Sequence, residues 1–382
     1  MGFYINEFEN DLKQHINLSS TAWSTIYDDL NSLNMKVTTE TFSGFLNKVF
    51  FNYYQSANAT ISLRNQEYKE KLTKTLEAGK FPSKDKVIIE QCIEMLSHSY
   101  INELQKTARS FPKGQGKKFR VNKQNIEILL SSADSEYYND SIGLYFKAIL
   151  EEYAQKQPYE REQIYYKDIF DTVSSAIFQS VRVKTLVIQN KPDKTIIRTF
   201  YVSPYKIVPD NLGMHNYLVG VWRELTEKGE LGPKLYRSVR ITKIKKVALV
   251  RSMPSFISRE DQTDIDEQIA ERSPQFFSSD VIDVKVRFKK SGMMKMFKTK
   301  YMRPTKYEKL DDTTYLFHCT RRQAEEYFFR FGSDIQILEP MDLRKKFIGW
   351  YKYAYVRYQE LATENTSSKS KTVDSTASQP ET

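Results

Sequence analysis

Three basic residues, Arg237, Arg240 and Lys243, recur at intervals of three within Y-R-S-V-R-I-T-K-I (Tyr236 to Ile244). A guanidinium offers parallel N–H donors that match a phosphate bidentately, so such a run suits a nucleotide or a nucleic-acid backbone. On a regular strand Arg237 and Lys243 share one face and Arg240 takes the other. The plainer reading is a solvated basic strand. Tyr205 and Tyr217 could supply aromatic faces on which bases stack, and a tyrosine buried in a core fits them equally well. His215 is either a donor to a ligand or a structural histidine. Nearer the N-terminus, Lys13, His15 and Asn17 alternate with Ile16 and Leu18. In a strand that pattern puts the polar side chains on one face and the apolar ones on the other.

Other chemistries lack a setting. The run Lys113-Gly-Gln-Gly-Lys-Lys contains G-x-G, yet no strand precedes it and no third glycine opens a helix, which speaks against a nucleotide-binding loop. No Cys-x-x-Cys or paired histidines suggest a metal site. The chain has four histidines, and no G-x-S-x-G setting supports a histidine-based triad. The acidic pairs Asp28-Asp29 and Asp311-Asp312 read as a helix surface and a turn. The expectation is a protein without catalytic residues, cofactor or metal.

The 382 residues suffice for two to four domains, and hydrophobic residues at 40% with aromatics at 13% can build sizeable cores. Lys and Arg number 58 against 48 Asp and Glu, a net charge of +10 that favours an anionic partner. Only two cysteines occur, Cys92 and Cys319, which fits a reducing compartment rather than a disulfide framework. No leader-like segment or apolar run of ~18 residues is visible, so a cytoplasmic protein without a membrane span is expected.

The chain's periodicity marks out its secondary structure. Lys13 to Ser19 reads as a strand. Ser20 or Thr21 can cap a helix running to about Asn34, and Thr41 a second one. Val87, Ile88, Cys92, Met95 and Leu96 recur at helical spacing, and helices dominate to about Gln179. Ala108 to Arg120, rich in Gly and Lys, reads as a linker. From Val181 the pattern alternates, and short strands separated by Pro and Gly suggest a small barrel. Alternation resumes at Val281, followed by helix, strand, helix, strand and a long final helix ending near Tyr358. Leu361 to Thr382 reads as a disordered tail.

Two stretches carry a family resemblance. V-S-P-Y-K-I (Val202 to Ile207), H-N-Y-L-V-G-V (His215 to Val221) and Tyr236 to Ile244 together resemble a WYL domain, an Sm-like β-barrel with a Pro-Tyr pair, a Trp-Tyr-Leu strand and an Arg-x-Phe-Arg-Leu-x-Arg-Ile strand in this order. Asn216 stands where that family has Trp, Val239 where it has Phe, and Lys243 where it has the last Arg. F-G-S-D-I-Q-I-L-E-P-M-D-L-R, ending at Arg344, is similar to the extension that commonly follows WYL domains. The resemblance implies that Tyr205, His215, Tyr217, Arg237, Arg240 and Lys243 line a nucleic-acid or ligand pocket. The N-terminal strand, helix, turn and helix look like a ribbon-helix-helix arm, in which two chains pair their strands. That likeness implies a homodimer and a groove contact through Lys13, His15 and Asn17.

The expected fold class is α+β: a ribbon-helix-helix-like arm (residues 1–80), a helical region (81–175), a WYL Sm-like barrel (176–255), a small α+β extension (280–360) and the tail (361–382). The whole resembles the WYL accessory proteins of RNA-targeting type VI-D CRISPR loci. That implies single-stranded RNA as ligand and an effector nuclease as partner. The rival expectation is a DNA-binding transcriptional regulator whose WYL domain senses a nucleotide or nucleic acid.

Overall fold

A computed structural model describes residues 2–5, 12–33, 41–79, 81–82, 85–190, 195–255, 257–277 and 281–373. It is α+β and divides into two units. The first comprises Met1–Val219, Arg223–Pro233 and Val239–Phe256; the second comprises Gly220–Trp222, Lys234–Ser238 and Ile257–Thr382. Among the described residues no helix is long and apolar enough to cross a membrane.

The first unit opens with β1 (Lys13–Leu18), α1 (Ser20–Leu33), α2 (Phe42–Tyr53), α3 (Ile61–Ala78) and α4 (Lys86–Arg109). The two helix starts follow from capping. Ser19 Oγ accepts from Ala22 N at 3.1 Å, and Thr41 Oγ1 accepts from Gly44 N at 3.1 Å. The expected turn at residues 34–40 lies outside the described residues. α3 and α4 form a hairpin held by stacked Tyr68 and Tyr100, by Ser97 Oγ donating to Asn65 Oδ1 at 2.7 Å, and by a Lys69–Glu94 ion pair.

The expected linker contains a strand, β2 (Gln115–Arg120), antiparallel to β1. α5 (Lys123–Ser131), α6 (Ile142–Gln155), α7 (Pro158–Tyr165) and α8 (Lys167–Phe178) follow. α6 is the centre of the core: Tyr145, Phe146, Ile149, Leu150 and Tyr153 are fully buried, and Phe146 stacks on Phe50 with centroids 3.9 Å apart. Its Gly143 lies against β1, where an added Cβ would stand 2.5 Å from the His15 carbonyl oxygen. Glu151 accepts from Ser19 N and Ser19 Oγ at 2.6 and 2.7 Å, joining the end of β1 to α6.

Then come β3 (Val181–Asn190), β4 (Thr195–Pro209), β5 (Asn216–Glu224), β6 (Leu235–Arg240) and β7 (Ile244–Pro254), in the sheet order β6-β5-β4-β3-β7. β3 is antiparallel to both β4 and β7, so Val183 faces Val202 on one side and Leu249 on the other. Among the described residues β6 and β7 do not pair, so the sheet is five-stranded but not a closed barrel.

In the second unit α9 (Arg259–Arg272) is followed by β8 (Val281–Phe288), α10 (Lys290–Lys298), β9 (Tyr307–Lys309), β10 (Thr314–Thr320), α11 (Arg321–Phe328), β11 (Ile335–Glu339) and α12 (Met341–Val373). The strand order is β11-β8-β10-β9, and Val284, Val286 and Phe288 of β8 meet Phe317, Tyr315 and Phe331 in one core. α12 continues helical past Leu361, where the tail was expected to begin; residues 374–382 lie outside the described part.

Candidate nucleic-acid interface

The β1–β2 ribbon sorts its side chains by register. Directly opposed residues share a face, so Lys13 with Arg120, His15 with Lys118 and Asn17 with Gly116 form one side. Lys13, His15, Lys118 and Arg120 on that side are exposed. The other side buries Ile16, Leu18 and Phe119. It also carries Lys117, whose ammonium lies 4.7 Å from the Trp23 ring, 5.1 Å from Tyr27 and 5.7 Å from Phe42, so its charge rests on π-faces. The ribbon expected to need a second chain is therefore completed in cis: Ile16 and Leu18 are covered by their own chain. Lys118 and Arg120 were missed because two glycines and a lysine run masked the strand.

Asn17 also makes a contact within the ribbon. Its Oδ1 accepts from Gly114 N at 2.6 Å and so fixes the approach to β2, which takes that oxygen away from reading a base edge. The His15 imidazole lies over Gly116, where a Cβ would stand 2.5 Å from Nε2.

The second candidate region is built around β5. The β4–β5 turn is shaped by Asp210, whose Oδ1 accepts from Leu212 N and Met214 N, with Gly213 at φ +63°. Tyr159 N of α7 donates to Gly213 O at 3.0 Å. This sets Glu162, three residues and about one turn further along α7, beside the start of β5. Glu162 is wholly buried; its Oε2 accepts from the backbone N–H of Asn216 and, at 2.8 Å, from the Asn216 amide. The same amide donates to Tyr159 O at 2.7 Å. The Asn at the position where the WYL family has Trp thus satisfies one oxygen of a buried carboxyl.

Beside it, Arg240 Nη2 lies 2.6 Å from His215 Nδ1. Because arginine only donates, Nδ1 accepts and the ring proton sits on Nε2. Burial, and then the Arg240 charge, push His215 down to about 4, which keeps it neutral near pH 7. Burial pushes the Glu162 carboxyl up to about 7, against the Asn216 hydrogen bonds and the Arg240 charge, which lower it. Burial also lowers the Arg240 guanidinium. Arg240 Nε and Glu162 Oε1 are buried without a hydrogen-bond partner among the described residues. The guanidinium and the carboxyl thus each keep one buried hydrogen-bonding atom to spare.

Of the expected pocket residues, the structure brings Arg240 and His215 together. Tyr217 is 5% exposed, a core residue rather than an open stacking face. Tyr205 is half-buried, with Lys206 Nζ 5.2 Å above its ring. β6 ends at Arg240, and Lys243 sits exposed on the following 3-10 turn, so the regular-strand alternation does not extend to it. Arg237 is half-buried and belongs to the second unit. Glu162 carried no signal in the sequence, where P-Y-E-R-E-Q-I-Y looks like a solvated helix.

No protein-family model matches the chain, and no curated protein matches it. Among solved structures it is similar to one described as "Crystal structure of a CRISPR Cas-related protein", with a TM-score of 0.72 at 19% identity over 94% of this chain and 98% of that one. That likeness establishes a shared fold over nearly the whole length. A second match, "Proteasome accessory factor B/C (PafBC) of Arthrobacter aurescens", has a TM-score of 0.27 at 15% identity, covers 69% of this chain and 36% of that one, and carries no argument.

Proposed function

We propose that this chain is a non-enzymatic WYL-type accessory protein that binds single-stranded RNA and serves an RNA-targeting type VI-D CRISPR effector. The observation that carries the reading is Arg240: a guanidinium held beside neutral His215, with a buried N–H that has no acceptor among the described residues. An unpaired buried donor is costly, and a phosphate oxygen would relieve it. The WYL-like motifs and the fold shared with a CRISPR Cas-related protein support the setting.

The test is a salt-titrated comparison of single-stranded RNA with duplex DNA. Wild type should prefer the RNA. Folded Arg240→Ala should lose at least tenfold in affinity and flatten the log–log salt slope by about 0.7 per phosphate contact. In a target-RNA cleavage assay the wild-type protein should raise the effector's rate. RNA binding unchanged in Arg240→Ala would sink the assignment of the site.

The exposed Lys13, His15, Lys118 and Arg120 face favours a second reading, a duplex-DNA-binding regulator whose ribbon enters the major groove. Preference for duplex DNA in the same titration would select it.

A further inference from the structure

The positive charge of this protein is not spread evenly. Residues 281–360 hold 18 Lys and Arg against 10 Asp and Glu, a net +8 of the chain's +10. Within them, Lys285 to Lys306 contains nine Lys and Arg and no Asp or Glu. Lys295 pairs with Asp334, Lys306 with Glu271, and Arg303 donates to Met296 O. Lys290, Lys298 and Lys300 are exposed and make no ion pair among the described residues.

α10 presents these charges together with apolar side chains that point the wrong way for a core. Its inner side is fixed: Met296 and Gly292 are buried, and a Cβ on Gly292 would stand 2.5 Å from Asp334 O. Asp334 also clamps the helix start, accepting from Ser291 Oγ at 2.8 Å while its main-chain oxygen accepts from Lys289 N at 2.8 Å. At 100° per residue, Lys290, Met294, Phe297 and Lys298 then fall on one outward arc. Met294 is 56% and Phe297 54% exposed. Tyr301, four residues beyond Phe297, is exposed as well, with the Arg330 guanidinium 5.7 Å from its ring.

Exposed aromatic rings set among unopposed cations are what a sequence-tolerant single-strand site requires, with phosphates on the cations and bases on the rings. A membrane surface would ask for a longer apolar face than this nine-residue helix offers. We propose that the outer face of α10 and the following turn is a binding platform for single-stranded nucleic acid. Lys290, Lys298 and Lys300 take the phosphodiesters, and the exposed rings of Phe297 and Tyr301 take the bases. The platform rests on the nucleic-acid-binding reading above and adds to it a second site, in the second unit, that does not involve Arg240.

The experiment uses the full chain and a fluorescein-labelled 20-nucleotide oligouridylate, titrated at several salt concentrations, with circular dichroism and melting to check the fold. The triple variant Lys290→Ala, Lys298→Ala, Lys300→Ala should weaken binding and flatten the salt slope by about 2, at about 0.7 per phosphate contact. Phe297→Ala should weaken binding roughly 5- to 150-fold at an unchanged slope, the loss of one stacked base, and Phe297→Trp should restore it. If both α10 variants bind like wild type while Arg240→Ala does not, the platform is overturned and the Arg240 site stands. If the α10 variants fail and Arg240→Ala binds normally, the platform stands and the Arg240 site falls. A wild type that does not bind the oligonucleotide overturns both. If the triple variant loses binding only to phosphatidylserine vesicles, the face belongs to a membrane surface instead.

Discussion

Asn216 donates both its backbone N–H and its side-chain amide to one oxygen of Glu162, and so ties the first residue of β5 to α7. Two neighbouring groups in this cluster have acidities displaced in opposite directions, and both displacements act on stability.

Glu162 is raised to about 7, so the folded protein holds its proton more tightly than the unfolded chain. Its contribution is fully present below the ordinary carboxylate range and is lost as pH rises through about 7. His215 is lowered to about 4, so its contribution is present above the ordinary imidazole range near 6.5 and is lost as pH falls through about 4. Between pH 4.5 and 6.5, roughly, the two slopes oppose. Glu162→Gln should therefore melt with a steeper loss on acidification than wild type, and His215→Asn with a gain, each difference reaching on the order of 2–3 kcal/mol. Thermal melts from pH 4 to 8 read this directly; parallel curves for wild type and both variants would refute the coupling.

The ribbon face gives a separate expectation for duplex DNA. Lys118→Ala with Arg120→Ala should flatten the salt slope by about 0.9 per lost phosphate contact, for every sequence alike. Electrophoretic titration at three salt concentrations would measure it. An unchanged slope would remove the ribbon from any DNA contact.

Asn17→Ala should act on folding rather than on base discrimination. It removes the acceptor of the Gly114 N–H bond, a loss of about 1–3 kcal/mol if that donor is left unpaired. Denaturant melts should show it. Normal stability with altered sequence preference would restore the base-reading role.

Two helical glycines should respond with opposite sign. Gly349 of α12 has nothing within 4 Å of an added Cβ, so Gly349→Ala should stabilise by about 0.5–1 kcal/mol. Gly143 of α6 would place that Cβ 2.5 Å from the His15 carbonyl oxygen, so Gly143→Ala should lower the melting temperature despite its better helix propensity. Equal shifts in the two variants would mean that α6 does not pack on β1 in this way.

Much of this architecture is legible in the residues. The caps at Ser19 and Thr41, one residue from or at the expected positions, follow from local hydrogen-bonding chemistry. The alternation at Val281–Phe288 and the helix and strand order after it follow from burial on one face. β2 was not legible, because only Phe119 of its six residues is buried and its other strand-forming information lies in β1. The site was legible in part. Arg240 and His215 stand together, but their neighbour Glu162 comes from a helix whose polar sequence hides a buried residue. Tyr217 was ambiguous in the sequence because ring chemistry alone does not separate a stacking face from a core side chain.

The pairing of β1 with β2 also constrains how the chain acquires its shape. Leu18 must meet Gln115, 97 residues later, so the ribbon is a non-local contact whose loop-closure entropy must be met before its hydrogen bonds contribute. During synthesis β1 precedes β2, so Ile16 and Leu18 stay without their partner strand until the four helices between them and the second strand have followed. The arm is therefore expected to form late in folding, after the helices that lie between its two strands.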